Sequence, residues 1–109
     1  MKDFPRQKPS NKIIIFLSVI SVVFFSCGDS PEKMREDADK YFVQAVDYFE
    51  RGYYNNARAL FRDVIEIENE LRLTDMTGDA YLYLGLIAFE NSNYFSSLNN
   101  YKSAREIFK

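Results

Sequence analysis

The sequence contains an internal repeat, and this periodicity constrains the fold more than any other feature of the chain. When residues 37–69 are aligned without a gap with residues 77–109, seven of the 33 pairs are identical, whereas about two are expected by chance at ordinary residue usage. A period of roughly 20 to 50 residues is typical of proteins built from stacked repeats. The identical pairs are Asp39/Asp79, Tyr41/Tyr81, Phe49/Phe89, Glu50/Glu90, Tyr54/Tyr94, Glu66/Glu106 and Ile67/Ile107.

Within each repeat the apolar residues recur at the spacing of an α-helix, three or four positions apart. They fall into two groups, so we predict two amphipathic helices per repeat and an all-α fold. In the first repeat the two groups are Tyr41, Ala45, Tyr48 and Phe49, and then Ala57, Leu60, Phe61, Val64 and Ile65.

The chain has no proline after Pro31, so few residues in it break helices and only a small number indicate helix boundaries. Ser30 and Pro31 predict the start of the first helix, since serine caps helices and proline is tolerated at the first helical position. Gly52 predicts its end. Residues 91–93 predict the matching turn in the second repeat, and the candidate caps between the repeats are Thr74, Asp75 and Thr77.

These residues resemble the tetratricopeptide repeat (TPR), a helical hairpin with small and aromatic residues at fixed positions. The first repeat has Tyr41, Gln44, Ala45, Tyr48, Ala57 and Phe61, and the second has Tyr81, Leu84, Gly85, Ala88, Ser97 and Tyr101. The resemblance implies tandem antiparallel helical hairpins, a TPR-like α-solenoid of two repeats. Gln44 and Ala88 depart from the pattern. A four-helix bundle with coincidental self-similarity is the alternative.

The amino-terminal segment resembles a bacterial lipoprotein signal. Basic and polar residues precede an apolar run from Ile13 to Phe25, and Cys27 follows between the small residues Ser26 and Gly28. This layout is typical of a secretory signal, and the run is shorter than the roughly 20 residues that span a bilayer. The resemblance implies cleavage before Cys27, lipidation of Cys27 and a location in the bacterial cell envelope, at the outer membrane or facing the periplasm. A permanent transmembrane anchor is the alternative.

The expected organisation therefore has five parts. Residues 1–26 are the cleaved signal peptide, and residues 27–36 hold the lipidated cysteine, a short tether and the start of the first helix. Residues 37–71 are the first repeat, 72–77 an extension between repeats and 78–109 the second repeat. Two repeats are fewer than most arrays contain, and the second ends without a polar cap. We therefore expect a longer array or self-association.

Charge and composition argue against several classes of function. The segment after Cys27 has 10 basic and 15 acidic residues, a net charge of −5, and it lacks the basic stripe that nucleic-acid binding needs. With one cysteine and no histidine, we expect no metal site and no cofactor. No nucleophile stands near a base in the sequence, so we expect neither an enzyme nor a small-molecule substrate. Glu66, Glu68 and Glu70 are predicted to be a solvated surface.

The TPR resemblance implies that the first helix of each hairpin lines a concave face that binds a protein or peptide partner. The predicted function is a membrane-tethered scaffold, and a hydrophobic partner segment with some basic character suits the face best. The same residues are equally compatible with packing against a third repeat, a capping helix or a second copy of the chain. A sensory module at the front of a larger regulator is the alternative function. The predicted groove residues are Asp39, Phe42, Val46, Phe49, Asp79, Leu82, Tyr83, Leu86 and Phe89.

Overall fold

The computed structural model describes residues 29–109, and this part of the chain folds into four α-helices without a strand. The helices are α1 (Pro31–Glu50), α2 (Tyr54–Leu71), α3 (Thr77–Glu90) and α4 (Tyr94–Phe108). The all-α prediction is confirmed. The predicted signal peptide and Cys27 lie outside the described residues, and no described helix is long and apolar enough to cross a membrane.

The helices pair in chain order into two antiparallel hairpins, as the sequence predicts. Helix α1 packs along α2, α3 packs along α4, and α2 and α3 join the two hairpins. Helix α1 begins at Pro31 and ends two residues before Gly52, so both predicted boundary signals are confirmed. Residues 91–93 separate α3 from α4, also as predicted.

The internal period is present in the backbone as well as in the sequence. The turn of each hairpin has a left-handed residue at the same position, Gly52 with φ 85° and Ser92 with φ 61°. The amide that follows donates to the carbonyl five residues earlier, with an N–O distance of 2.8 Å in both turns. These two bonds join Tyr53 to Tyr48 and Asn93 to Ala88. Both turns therefore close their helices with the same geometry.

Small residues let the two helices of each hairpin approach closely. A Cβ atom added to Gly85 would collide with the ring of Tyr101, so that ring rests directly on the α3 backbone. The hydroxyl of Ser97 donates to the carbonyl of Gly85 at 2.9 Å and fastens α4 to α3. In the first hairpin the equivalent positions are Ala45, Ala57 and Phe61, all fully buried.

A buried glutamate joins the hairpins, and the predicted solvated surface is wrong at this position. Glu68 is 2% exposed. Its carboxyl group accepts hydrogen bonds from the backbone N–H of Met76, at 2.9 and 3.1 Å, and from the hydroxyl of Thr77, at 2.6 Å. Glu66 and Glu70 are exposed, as predicted.

The predicted caps between the repeats are also wrong. No side chain of the loop caps α3, because the carboxyl group of Glu68 on the preceding helix takes that role. Thr77 contributes as a donor to that carboxyl group. Asp75 pairs across the surface with Arg35 at 3.5 Å. Residues 72–76 form the loop between α2 and α3, and Thr77 is the first residue of α3.

Candidate partner-binding surface

The predicted groove residues on α1 divide between packing and exposure. Phe42, Val46 and Phe49 are half-buried and pack against the core that the hairpins share. Asp39 is exposed at the start of this row. The apolar part of the predicted groove on α1 therefore also contributes to the internal structure of the protein.

Tyr83 is the residue that covers this row. Its ring stacks on Phe61 of α2, with centroids 4.7 Å apart and planes at 8°. It also meets Phe49 at 5.1 Å and Phe42 at 6.2 Å, both edge to face. Aromatic pairs at these distances contribute about 0.5–1.5 kcal/mol each beyond their buried area. Tyr83 thus links α3 to the first hairpin.

The remaining predicted groove residues on α3 are accessible. Leu82 is 39% exposed, Leu86 41% and Phe89 54%. Their spacing of four and three positions places them in one row along the helix. Asp79 is exposed near the start of the same helix. We call Leu82, Leu86 and Phe89 the α3 stripe.

The α3 stripe repeats, one period later in the sequence, the row formed by Phe42, Val46 and Phe49. The two rows occupy the same positions in their hairpins and differ in what lies over them. Tyr83 and its neighbours on α3 pack over the first row. Within the described residues, no helix follows α4 to pack over the second row in the same way. The α3 stripe is therefore an apolar surface without a cover in the described part of the chain.

A cavity of about 230 Å³ lies between α2, α3 and α4. Arg58 and Arg62 project into it from α2, and neither guanidinium has an ion pair within the described residues. Leu84 and Ala88 also line it. Three asparagines complete most of the wall, and Asn93 among them accepts a hydrogen bond from the Ser96 amide at 3.3 Å.

Sequence reasoning missed Glu68 as a functional part of the fold. The one sequence signal is that Glu68 stands where the second repeat has the apolar residue Phe108. Because Glu66, Asn69 and Glu70 are polar, the segment around Glu68 reads as a solvated surface in the sequence. No group of three or more residues that could hold a metal ion is found within residues 29–109.

The fold defines the class of protein, an all-α chain of tandem antiparallel helical hairpins with an uncovered apolar stripe on its third helix. No protein-family model matches the sequence, and neither the curated proteins nor the solved structures include a significant match.

Proposed function

We propose that the chain is a membrane-tethered, TPR-like scaffold that holds a partner protein in the bacterial cell envelope. The observation that carries the proposal is the α3 stripe, three large apolar side chains side by side on the surface of a packed helix. A contiguous exposed apolar row on a soluble domain is typical of a protein–protein contact. Under this proposal the chain binds and does not catalyse.

The partner is proposed to be a protein segment that is apolar and partly basic. The α3 stripe offers a leucine-rich row with an aromatic end, which suits burial of apolar side chains. Asp39, in the middle of α1, and Asp79, in the first turn of α3, are both exposed. Basic residues of the partner would meet these carboxylates at the rim, where such pairs set orientation more than affinity.

Site-specific photocrosslinking in the producing bacterium tests the proposed contact. A photoreactive residue at Leu86 should crosslink to one protein of the membrane fraction. The same residue at Lys40, exposed on the outer side of α1, is the matched control and should not. Crosslinks of equal yield from both positions, or none from Leu86, would contradict a partner at the α3 stripe.

The tether is proposed to be lipid on Cys27, with the predicted signal peptide removed. Acyl chains hold a protein on a bilayer through about 0.8 kcal/mol per buried methylene, and more than one chain is needed for stable attachment. Growth with a radiolabelled fatty acid should label the native chain and leave Cys27→Ala unlabelled. Label retained by the variant would refute the lipid tether.

A further inference from the structure

In the first hairpin, α3 covers the row formed by Phe42, Val46 and Phe49, which is equivalent to the α3 stripe. Helix α3 presents Ala80, Tyr83 and Ile87 to it, a small, an aromatic and an aliphatic residue at positions 0, +3 and +7. Ala80 is fully buried and Ile87 nearly so, while the Tyr83 ring stacks on Phe61. A helix with this pattern therefore fits the surface formed by Phe42, Val46, Phe49 and Phe61.

The second hairpin offers the same surface one period later. The equivalents are Leu82, Leu86, Phe89 and Tyr101, which we call the distal face. Tyr101 lies against the backbone of Gly85, and its equivalent Phe61 lies in the core with Ala45, the equivalent of Gly85. The ring of Tyr101 is therefore placed to stack with an aromatic side chain of a covering helix. The distal face is thus the equivalent, on the second hairpin, of the surface of the first hairpin against which α3 packs.

We infer that the distal face binds an amphipathic α-helix of a partner protein in the position that α3 takes on the first hairpin. The matching helix has a small, an aromatic and an aliphatic residue at positions 0, +3 and +7. This inference rests on the proposed scaffold function and names the chemistry of the partner.

Two differences between equivalent positions of the repeats indicate which side chains the partner helix would carry. Arg105 stands where the first hairpin has the buried Ile65, so an acidic side chain of the partner fits there better than an aliphatic one. Phe108 stands where the first hairpin has Glu68. The partner helix therefore receives no carboxyl cap from α4 and meets an exposed aromatic ring near its start instead.

A second copy stacked head to tail does not satisfy this pattern. The residues of α1 that are equivalent to Ala80, Tyr83 and Ile87 are Lys40, Val43 and Asp47, and all three are exposed. Two of them are charged, and burying them against an apolar face without partners would be costly. Helix α1 of a second copy is consequently not the helix that covers the distal face.

Peptide binding to the full-length chain in detergent tests the inference. The probe is a fluorescein-labelled peptide with the sequence of residues 74–91, which contains the α3 pattern, and anisotropy reports its binding. Saturable binding is expected. Leu86→Glu in the protein should weaken it at least tenfold, and Val43→Glu, an exposed apolar residue of α1, should leave it unchanged. A probe with Tyr83→Asp should also bind at least tenfold more weakly.

Several results would overturn the inference. They are absence of saturable binding, equal affinity for wild type and Leu86→Glu, and a wild-type dimer in light scattering that Leu86→Glu makes monomeric. Circular dichroism checks the helix content of each variant. Phe89→Ser replaces Leu86→Glu as the test if that variant unfolds, because Phe89 is more than half exposed.

The failure of this inference differs from the failure of the scaffold function. If Leu86 crosslinks to a protein in cells while the peptide does not bind, the chain is a scaffold and the helix pattern is wrong. If the peptide binds while Leu86 captures nothing in cells, the distal face accepts a helix and the proposed function is wrong.

Discussion

At the scale of single residues, close helix contacts depend on two glycines of α3 whose surroundings differ. Gly85 faces the ring of Tyr101, which is held between helices, while Gly78 faces the ring of Phe108 near the end of α4. Phe108 is 60% exposed and its ring can turn away. The same substitution should therefore have opposite consequences at the two positions.

Replacing Gly85 by alanine should destabilise the protein in spite of alanine's higher helix propensity. The added methyl group would overpack the contact with Tyr101, at a cost of about 1–3 kcal/mol, against a gain of about 1 kcal/mol in helix propensity. We expect a net loss of up to about 2 kcal/mol in urea unfolding. Gly78→Ala is the matched control and should be neutral or stabilising. Equal effects would show that Tyr101 moves as freely as Phe108.

At the scale of secondary structure elements, the two hairpins are joined by a side chain of α2 that caps the start of α3. The carboxyl group of Glu68, in the last turn of α2, accepts from the N–H of Met76, the residue just before α3, and from the hydroxyl of Thr77, its first residue. A carboxylate at a helix amino terminus is stabilising through its hydrogen bonds and through the helix dipole. Arg72 supports the joint, because its left-handed conformation turns the chain after Leu71.

The variant Glu68→Gln should lower the free energy of unfolding by about 2 kcal/mol. The amide keeps the size of the side chain but leaves its NH₂ group against donors, and a buried hydrogen bond to a charged group is worth about 1.5–3 kcal/mol. Glu66→Gln, on the exposed side of the same helix, should change the free energy by less than about 0.5 kcal/mol. Urea unfolding of both variants measures the difference. Similar values would exclude a special role for Glu68.

At the scale of the whole molecule, the core is distributed unevenly along the chain. Helix α2 buries Phe61, Val64 and Ile65 together with Ala57 and Glu68. Helix α4 buries two small residues, Ser97 and Ala104. Local opening costs less where fewer apolar side chains are buried. The second hairpin is therefore the part that gains most from a covering helix.

Amides in the middle of α4 should exchange with deuterium faster than those in the middle of α2. Mass spectrometry after brief labelling of the full-length chain should show this order, and addition of the residue 74–91 peptide should slow exchange in α4 selectively. Equal protection of the two helices in the free protein would contradict the uneven core. Such a result would indicate that α4 is already covered.

The sequence by itself determined the all-α class, the pairing of helices and most helix boundaries. These features follow from local rules. The apolar spacing within each repeat defines the buried face of each helix, and Pro31 and Gly52 set helix boundaries through their backbone conformations. The tertiary structure alone decided which apolar residues remain exposed. Phe42, Phe49 and Tyr83 look like groove residues in a repeat pattern, but the packing of α3 on the first hairpin brings their rings together, whereas Leu82, Leu86 and Phe89 stay accessible. The role of Glu68 was likewise decided by the tertiary structure, because the burial of its side chain depends on how α3 packs against α2.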